Sequence, residues 1–132
     1  MTAAPLVVLV CGSRDFPVSE RPTIRAWLAR LPPGTTIIHG AARGADSIAG
    51  DVAAELGFTV RAYPARWEEE GKAAGPLRNQ RMLAEEPAIS RCFAFTSALM
   101  RGGRPTGTGD MVARCLAAGV VVTVVPPASQ PL

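Results

Sequence analysis

Short apolar runs alternate with amphipathic stretches along the chain, and this alternation predicts its secondary structure. The first run, LVVLVCG at 6–12, is continuously apolar and rich in β-branched residues, which is typical of a strand buried on both faces. Four similar runs predict the remaining strands, at 35–40, 58–63, 89–95 and 120–125.

The stretches between these runs carry apolar residues at helical spacing. The clearest stripe ends at PPG, 32–34, and consists of Ile24, Trp27, Leu28 and Leu31. Further helices are predicted from about Ala45 to Gly57, from Pro76 to about Glu86 and from about Thr108 to Gly119. The segments 64–75 and 97–106 are predicted as loops.

The strand–helix–strand unit recurs four times, which predicts a parallel sheet with helices on both faces. We therefore expect a single doubly wound α/β domain over residues 1–125, with a five-stranded sheet of order 3-2-1-4-5. The remaining residues, 126–132, are predicted to form a flexible tail.

Ligands of such sheets bind beyond the carboxyl ends of the strands, at the switch point between strands 1 and 4. Four polar stretches are predicted to meet there. They are Gly12–Asp15, His39–Asp46, the loop leading to Arg78, and Gly107–Asp110.

The stretch HGAARGAD, 39–46, looks suited to an anion. Gly40 and Gly44 allow tight turns and close approach to a ligand, and the helix that follows would offer unpaired N–H groups and a positive dipole end. Arg43 adds charge, while Asp46 falls in the first helical turn. The alternative is that Asp46 only caps its helix, that the glycines only make the turn, and that His39 is a packed strand-end residue.

The other stretches follow the same logic. After strand 1, Gly12 turns the chain, Ser13 offers a hydroxyl group and Arg14 a guanidinium fork. Arg78 and Asn79 are predicted in the first turn of a helix, where an arginine is electrostatically unfavourable unless it serves an anion. A surface arginine is the alternative reading.

The last stretch, TGTGD, is a second glycine-rich helix opening. Thr108 can cap the helix, Gly107 and Gly109 leave room, and Asp110 is either a first-turn acid or a carboxylate aimed at a sugar. Two residues of the 64–75 loop complete the candidates. Lys72 is a further phosphate-binding candidate, and Trp67 either covers a base by stacking or is simply packed.

The composition and the absence of certain motifs argue against several classes of function. The net charge is +3, from 14 basic and 11 acidic residues, which does not by itself predict a nucleic-acid partner. The dinucleotide fingerprint GxGxxG and the P-loop pattern are both absent. No stretch approaches the ~20 apolar residues of a membrane helix, and the first apolar run is too short for a signal peptide.

Three cysteines lie in apolar segments without CxxC spacing: Cys11, Cys92 and Cys115. They are expected to be reduced, buried thiols of a cytoplasmic protein rather than metal ligands. We accordingly expect neither a metal nor a cofactor.

Taken together, GSRDF, HGAARGAD, PARW…GKAAGPLRNQRM and GTGDMV resemble the YspA-like, cpYpsA-related branch of the SLOG superfamily, over about residues 6–125. The resemblance implies a Rossmann-like fold, a nucleotide-related ligand and a homodimer. In the related LOG phosphoribohydrolases, an arginine in an R-[KN]-x-x-M helix and an acid in PGG-x-GT-x-E are catalytic. Arg78 matches the first, and Asp110 matches the second with aspartate in place of glutamate.

Three functions stay open at this point. The favoured one is a binding or sensor module for a nucleotide or an ADP-ribose-like molecule. The alternative is a LOG-like N-glycosidase, in which Arg78 holds the phosphate and Asp110 stabilises the positive charge on the ribose. A DprA-like single-strand DNA binder ranks last, because only 5% of residues are aromatic and the charge is modest.

Overall fold

The computed structural model describes residues 3–131 and has a parallel sheet at its centre. In chain order the strands are β1 (Val7–Gly12), β2 (Thr36–His39), β3 (Thr59–Ala62), β4 (Arg91–Phe95), β5 (Met100–Arg101), β6 (Arg104–Pro105) and β7 (Val121–Val125). Five of them form the parallel sheet in the order β3-β2-β1-β4-β7, while β5 and β6 form a separate antiparallel hairpin. The predicted order 3-2-1-4-5 is confirmed, because β7 is the fifth strand of the sheet.

Five α-helices connect the strands: α1 (Arg21–Leu28), α2 (Ala45–Glu55), α3 (Trp67–Glu70), α4 (Ala74–Glu85) and α5 (Gly107–Ala117). Short 3₁₀ turns precede α1, at Val18–Glu20, and α4, at Gly71–Ala73. The connections place helices on both faces of the sheet, as the sequence predicts.

Alternation along β1 divides the core into two layers. Val8 and Val10 belong to the layer under α1 and α2, whereas Leu9 and Cys11 belong to the layer under α4 and α5. All four side chains are buried. Burial of an aliphatic side chain of this size stabilises the fold by about 1.5–3 kcal/mol, so both layers contribute.

The segments predicted as loops contain structure. Residues 64–75 include α3 and a 3₁₀ turn, and α4 begins at Ala74 rather than at Pro76. Pro76 is accommodated because the first-turn N–H groups of a helix have no intrahelical partner. Residues 97–106 contain the β5–β6 hairpin. The N-cap of α5 is Thr106, not Thr108, because Thr106 has extended backbone and its Oγ1 accepts a 2.9 Å hydrogen bond from Gly109 N.

The C-terminal segment predicted as a flexible tail makes contacts with the first helical region. Trp27 Nε1 donates to Ser129 O at 3.0 Å, and Ala128 N donates to Glu20 Oε2 at 2.8 Å. These two hydrogen bonds hold residues 128–129 beside α1.

The three cysteines are buried and free, as expected. Cys11 Sγ lies 3.7 Å from Cys92 Sγ. Across residues 3–131, no helix has the length and apolar character needed to cross a membrane.

Candidate functional site

A crevice of about 870 Å³ opens where β1, β2 and β4 end. Its volume is within the range of small-molecule sites, about 300–1,000 Å³. All four predicted stretches contribute to it. The predicted residues that line it are Gly12, Ser13, Arg14, Gly40, Arg43, Asp46, Trp67, Arg78, Asn79, Gly107, Thr108 and Asp110.

Four candidates are not in the lining: His39, Gly44, Lys72 and Gly109. His39 is buried on the α2 side of the sheet, and a Cβ added to Gly50 of α2 would lie 2.7 Å from its Nε2. Its Nδ1 accepts a 2.9 Å hydrogen bond from Ala41 N, and burial lowers its pKa. His39 is thus a packed strand-end residue, while Lys72 is exposed outside the lining.

Gly44 and Gly109 allow backbone segments to approach one another. Gly44 has φ +78°, and a Cβ there would overlap the carbonyl oxygens of Ser13 and Arg14. A Cβ on Gly109 would overlap the carbonyl oxygen of Leu99. Both glycines therefore fix the loops around the crevice instead of facing into it.

The amides of the 40–45 turn bind acceptors within the protein. Gly40 N donates to Asp46 Oδ2 at 2.9 Å, Ala41 N to His39 Nδ1, and Ala45 N to Ser13 O at 3.1 Å. The expectation that unpaired N–H groups of this turn face a ligand is therefore wrong for these three amides. The positive charge around the crevice comes instead from guanidinium groups.

Asp46 is a buried carboxylate behind the turn, with 4% of its surface exposed. Burial raises its pKa to about 6, and this rise is opposed by Arg78 and by the hydrogen bond from Gly40. That hydrogen bond runs to a residue outside α2, so the side chain holds the turn in place rather than merely capping its own helix.

Arg78 joins the turn after β2 to α4. Its Nη1 donates to the carbonyl oxygen of Gly40, and its Nε donates to Asn79 Oδ1 at 2.9 Å. Burial lowers the pKa of Arg78, which its attraction to Asp46 opposes. These bonds orient the guanidinium group within the lining of the crevice.

Asn79 continues this network to α5. Its Nδ2 donates to Gly107 O at 3.3 Å and to Asp110 Oδ2 at 3.0 Å. Asp110 Oδ2 also accepts a 2.9 Å hydrogen bond from Arg114 Nε, within an ion pair. The two residues that match the LOG motif, Arg78 and Asp110, are therefore linked through one amide side chain.

Two charged residues of the crevice were not predicted from the sequence, Arg101 and Arg104 of the β5–β6 hairpin. The signal available was the high glycine and arginine content of residues 97–106. Elsewhere in the lining, the Arg14 guanidinium lies over the Trp67 ring at 5.1 Å from its centroid. Trp67 is 48% exposed, so its ring is only partly packed.

A smaller recess of about 360 Å³ adjoins the crevice at these two residues. It shares Arg14, Gly40, Ala42, Arg43, Trp67 and Arg78 with the larger space, and it adds Ala41. The hairpin arginines do not line it.

The fold is shared with a solved structure, which defines the general structural class of the protein. The chain is similar to the X-ray structure of DNA processing protein A (DprA) from Streptococcus pneumoniae, with a TM-score of 0.69 and 17% identity. The alignment covers 94% of this chain and 51% of the DprA chain, so this chain spans about half of that protein. The molecule thus has the DprA-like, Rossmann-like α/β fold.

The sequence comparisons define the family. The profile of YAcAr, the YspA, cpYpsA-related SLOG family, matches residues 6–69. The Gene 61 protein of Mycobacterium phage D29 is 37% identical over 124 residues, which covers 87% of this chain and 92% of the phage protein. The chain belongs to the YspA, cpYpsA-related SLOG family.

Proposed function

We propose that this chain binds a phosphorylated nucleoside-type ligand, a nucleotide or an ADP-ribose-like molecule, as a sensor or binding module. One observation supports this most directly. Five arginines line the crevice at the carboxyl ends of β1, β2 and β4, namely Arg14, Arg43, Arg78, Arg101 and Arg104. Planar guanidinium groups bind phosphate oxygens in a bidentate manner.

The acidic residues of the lining do not cancel this charge. Asp15, Asp46 and Asp110 are the acids there, against five arginines. Asp110 is also paired with Arg114, and Asp46 lies behind the turn beside Arg78. The lining therefore retains a positive surplus, which favours an anionic ligand.

Apolar groups in the same lining suit the nucleoside part of such a ligand. Pro76, Ala98 and Pro105 are apolar residues of the lining that are at least partly exposed. The half-exposed ring of Trp67 offers a surface for a base at the rim.

Calorimetric titration tests the proposal with AMP, ADP-ribose and unphosphorylated adenosine. We expect the two phosphorylated compounds to bind and adenosine to bind far more weakly. A ligand at 100 times its Kd also stabilises the fold by about 2.7 kcal/mol, which a thermal melt detects.

Arg43→Gln tests the site, and Arg91→Gln is its matched control. Arg91 begins β4, at the end of the sheet opposite the crevice. Loss of affinity in Arg43→Gln alone supports the proposal. Equal affinities in both variants, or no binding by the original protein across a wider nucleotide panel, would refute it.

A phosphoribohydrolase is the second candidate function, and it is favoured by the Arg78–Asn79–Asp110 connection. In that reaction Arg78 holds the phosphate, and Asp110 stabilises the oxocarbenium-like ribose or activates water. Incubation with nucleoside monophosphates and measurement of the free base tests this candidate. Base release that Asp110→Asn abolishes supports an enzyme, whereas binding without release supports the module.

Single-strand DNA binding is the remaining alternative, suggested by the fold shared with a DNA processing protein. A gel shift across a salt series tests it. Tight and steeply salt-dependent DNA binding would place this alternative above nucleotide binding.

A further inference from the structure

We infer that the ligand carries two phosphoryl groups at separate ends of one nucleoside, as a nucleoside 3′,5′-bisphosphate does, and that the β5–β6 hairpin binds the second group. This inference rests on the proposed function and concerns the same crevice. It follows from the division of the lining arginines into two groups, of which one shares the smaller recess and the other lies on the hairpin.

The first group consists of Arg14 and Arg43, with Arg78 behind them. Arg14 follows β1 and Arg43 follows β2, and all three arginines share the smaller recess of about 360 Å³. Arg78 is oriented by its bonds to Gly40 and Asn79, so this side of the crevice offers a pre-arranged anion site.

The second group is Arg101 and Arg104, which are paired directly across the hairpin. The base of the hairpin is fixed to α5, because Thr106 N donates to Leu99 O at 2.9 Å and Gly109 packs against the same carbonyl group. Among residues 3–131, neither arginine has an acidic partner within 4.0 Å, so both are available for a ligand.

Arg43 of the first group and the hairpin follow strands that are not neighbours in the sheet. Strands β2 and β4 flank β1, and neighbouring strands lie about 4.8 Å apart, which puts their ends roughly 10 Å from each other. The recess of the first group does not include the hairpin. A phosphoryl group seated in that recess leaves Arg101 and Arg104 without an anion, whereas a ribose with phosphates on its 5′ and 3′ oxygens can place one phosphate on each side.

Calorimetry with three ligands of one nucleoside tests this inference: the 5′-monophosphate, the 5′-diphosphate and the 3′,5′-bisphosphate. The diphosphate adds its second phosphoryl group next to the first, whereas the bisphosphate adds it at the far end. We expect the bisphosphate to bind about ten-fold or more tightly than either of the others, since a second phosphate gains charge-assisted hydrogen bonds.

The double variant Arg101→Gln/Arg104→Gln should remove this advantage, because it should weaken binding of the bisphosphate more than binding of the monophosphate. Arg91→Gln serves as the control and should retain the advantage. Both hairpin arginines are exposed, so the variant should fold, and an unchanged thermal melt without ligand verifies it. Arg101→Lys/Arg104→Lys should keep part of the advantage, because the charge remains while the bidentate fork is lost.

Each outcome has a distinct meaning. If the original protein binds none of the three ligands, this inference is overturned, and the proposed function also fails if the wider nucleotide panel and ADP-ribose do not bind. If it binds the monophosphate but prefers the diphosphate, or binds all three equally, only the present inference is overturned. It is also overturned if the double glutamine variant still prefers the bisphosphate.

Discussion

Asn79 Nδ2 donates a 3.0 Å hydrogen bond to Asp110 Oδ2, and this bond ties α4 to α5 within the lining of the crevice. The same amide group accepts from Arg78 Nε through its Oδ1. An arginine and an aspartate 32 positions apart are therefore held as one unit by the side chain between them, whichever reaction or binding event the crevice serves.

The first prediction concerns this amide. Asn79→Ala should destabilise the protein by about 1–3 kcal/mol, because it leaves a buried arginine nitrogen and a carboxylate oxygen each short of one partner. Urea unfolding measures this change. Asn79→Ala should also weaken binding of a phosphorylated ligand, since Arg78 loses the bond that orients it. An unchanged ligand Kd would show that the bond to Gly40 is sufficient to position the guanidinium group.

The second prediction concerns Asp46, whose pKa is raised from its ordinary 3.8 to about 6. The folded state binds a proton more tightly than the unfolded state, so this group makes stability fall as pH rises from about 4 to about 6. Asp46 contributes at most about 1.4 kcal/mol per pH unit to the change of the free energy of unfolding with pH.

Asp46→Asn keeps an oxygen that can accept from Gly40 N and removes the titration. Free energies of unfolding between pH 4 and pH 6 should therefore decrease less steeply in Asp46→Asn than in the original protein. His39 is present in both proteins and largely cancels in this comparison. Parallel pH profiles would contradict the burial of an ionisable carboxylate at this position.

The third prediction concerns a carboxylate outside the crevice. Glu86, with 7% of its surface exposed, accepts from Arg61 Nε at 2.9 Å, from Arg61 Nη2 at 2.7 Å and from Tyr63 Oη at 2.7 Å. The hydrogen bonds from Arg61 chiefly lower its pKa. Burial, followed by the hydrogen bond to Glu86, raises the pKa of Tyr63 to about 12. This cluster fixes the C-terminal end of α4 to the edge strand β3.

Glu86→Gln should cost about 1–3 kcal/mol in urea unfolding at neutral pH, because a buried acceptor is replaced by a group that also donates. The control is Glu55→Gln. Glu55 also pairs with two arginines, Arg21 and Arg25, but its side chain is 53% exposed, and exposed pairs contribute about 0–1 kcal/mol. The cost of Glu86→Gln should shrink as pH falls through the lowered pKa of Glu86. Equal costs for the two variants at neutral pH would remove burial as the cause.

The sheet could be predicted from the sequence because its strands are continuous apolar runs. The position of His39 could also have been predicted more closely. Side chains alternate along β2, and Ile37 lies in the layer under α2, so His39 must lie on that side as well. A glycine within the following helix, Gly50, was the second signal, since it leaves room for the imidazole ring.

Other features of the site have no local signal. Strands of two residues carry no periodicity, so the glycine and arginine content of residues 97–106 was a signal that did not place Arg101 and Arg104 at the crevice. The Gly40 amide is occupied because Asp46 folds back to it, a contact that helix-capping rules do not predict. The glycines of that turn correctly predicted a close approach of the backbone to another group. At Gly44, however, that group is the protein's own loop after β1 and not a ligand.

The fourth prediction compares two glycines of one helix start. A Cβ on Gly107 would meet no atom within 4 Å among the described residues, whereas a Cβ on Gly109 would lie 2.9 Å from the carbonyl carbon of Leu99 and overlap its oxygen. Gly109→Ala should therefore destabilise the protein by about 1–3 kcal/mol, the usual cost of overpacking. Gly107→Ala should change the free energy of unfolding by no more than about 1 kcal/mol, in the stabilising direction, because alanine favours helix.

Thermal or urea unfolding of the two variants measures both changes in the free energy of unfolding. Similar values for the two would mean that the hairpin does not pack against α5 as described, because only that contact distinguishes the two positions.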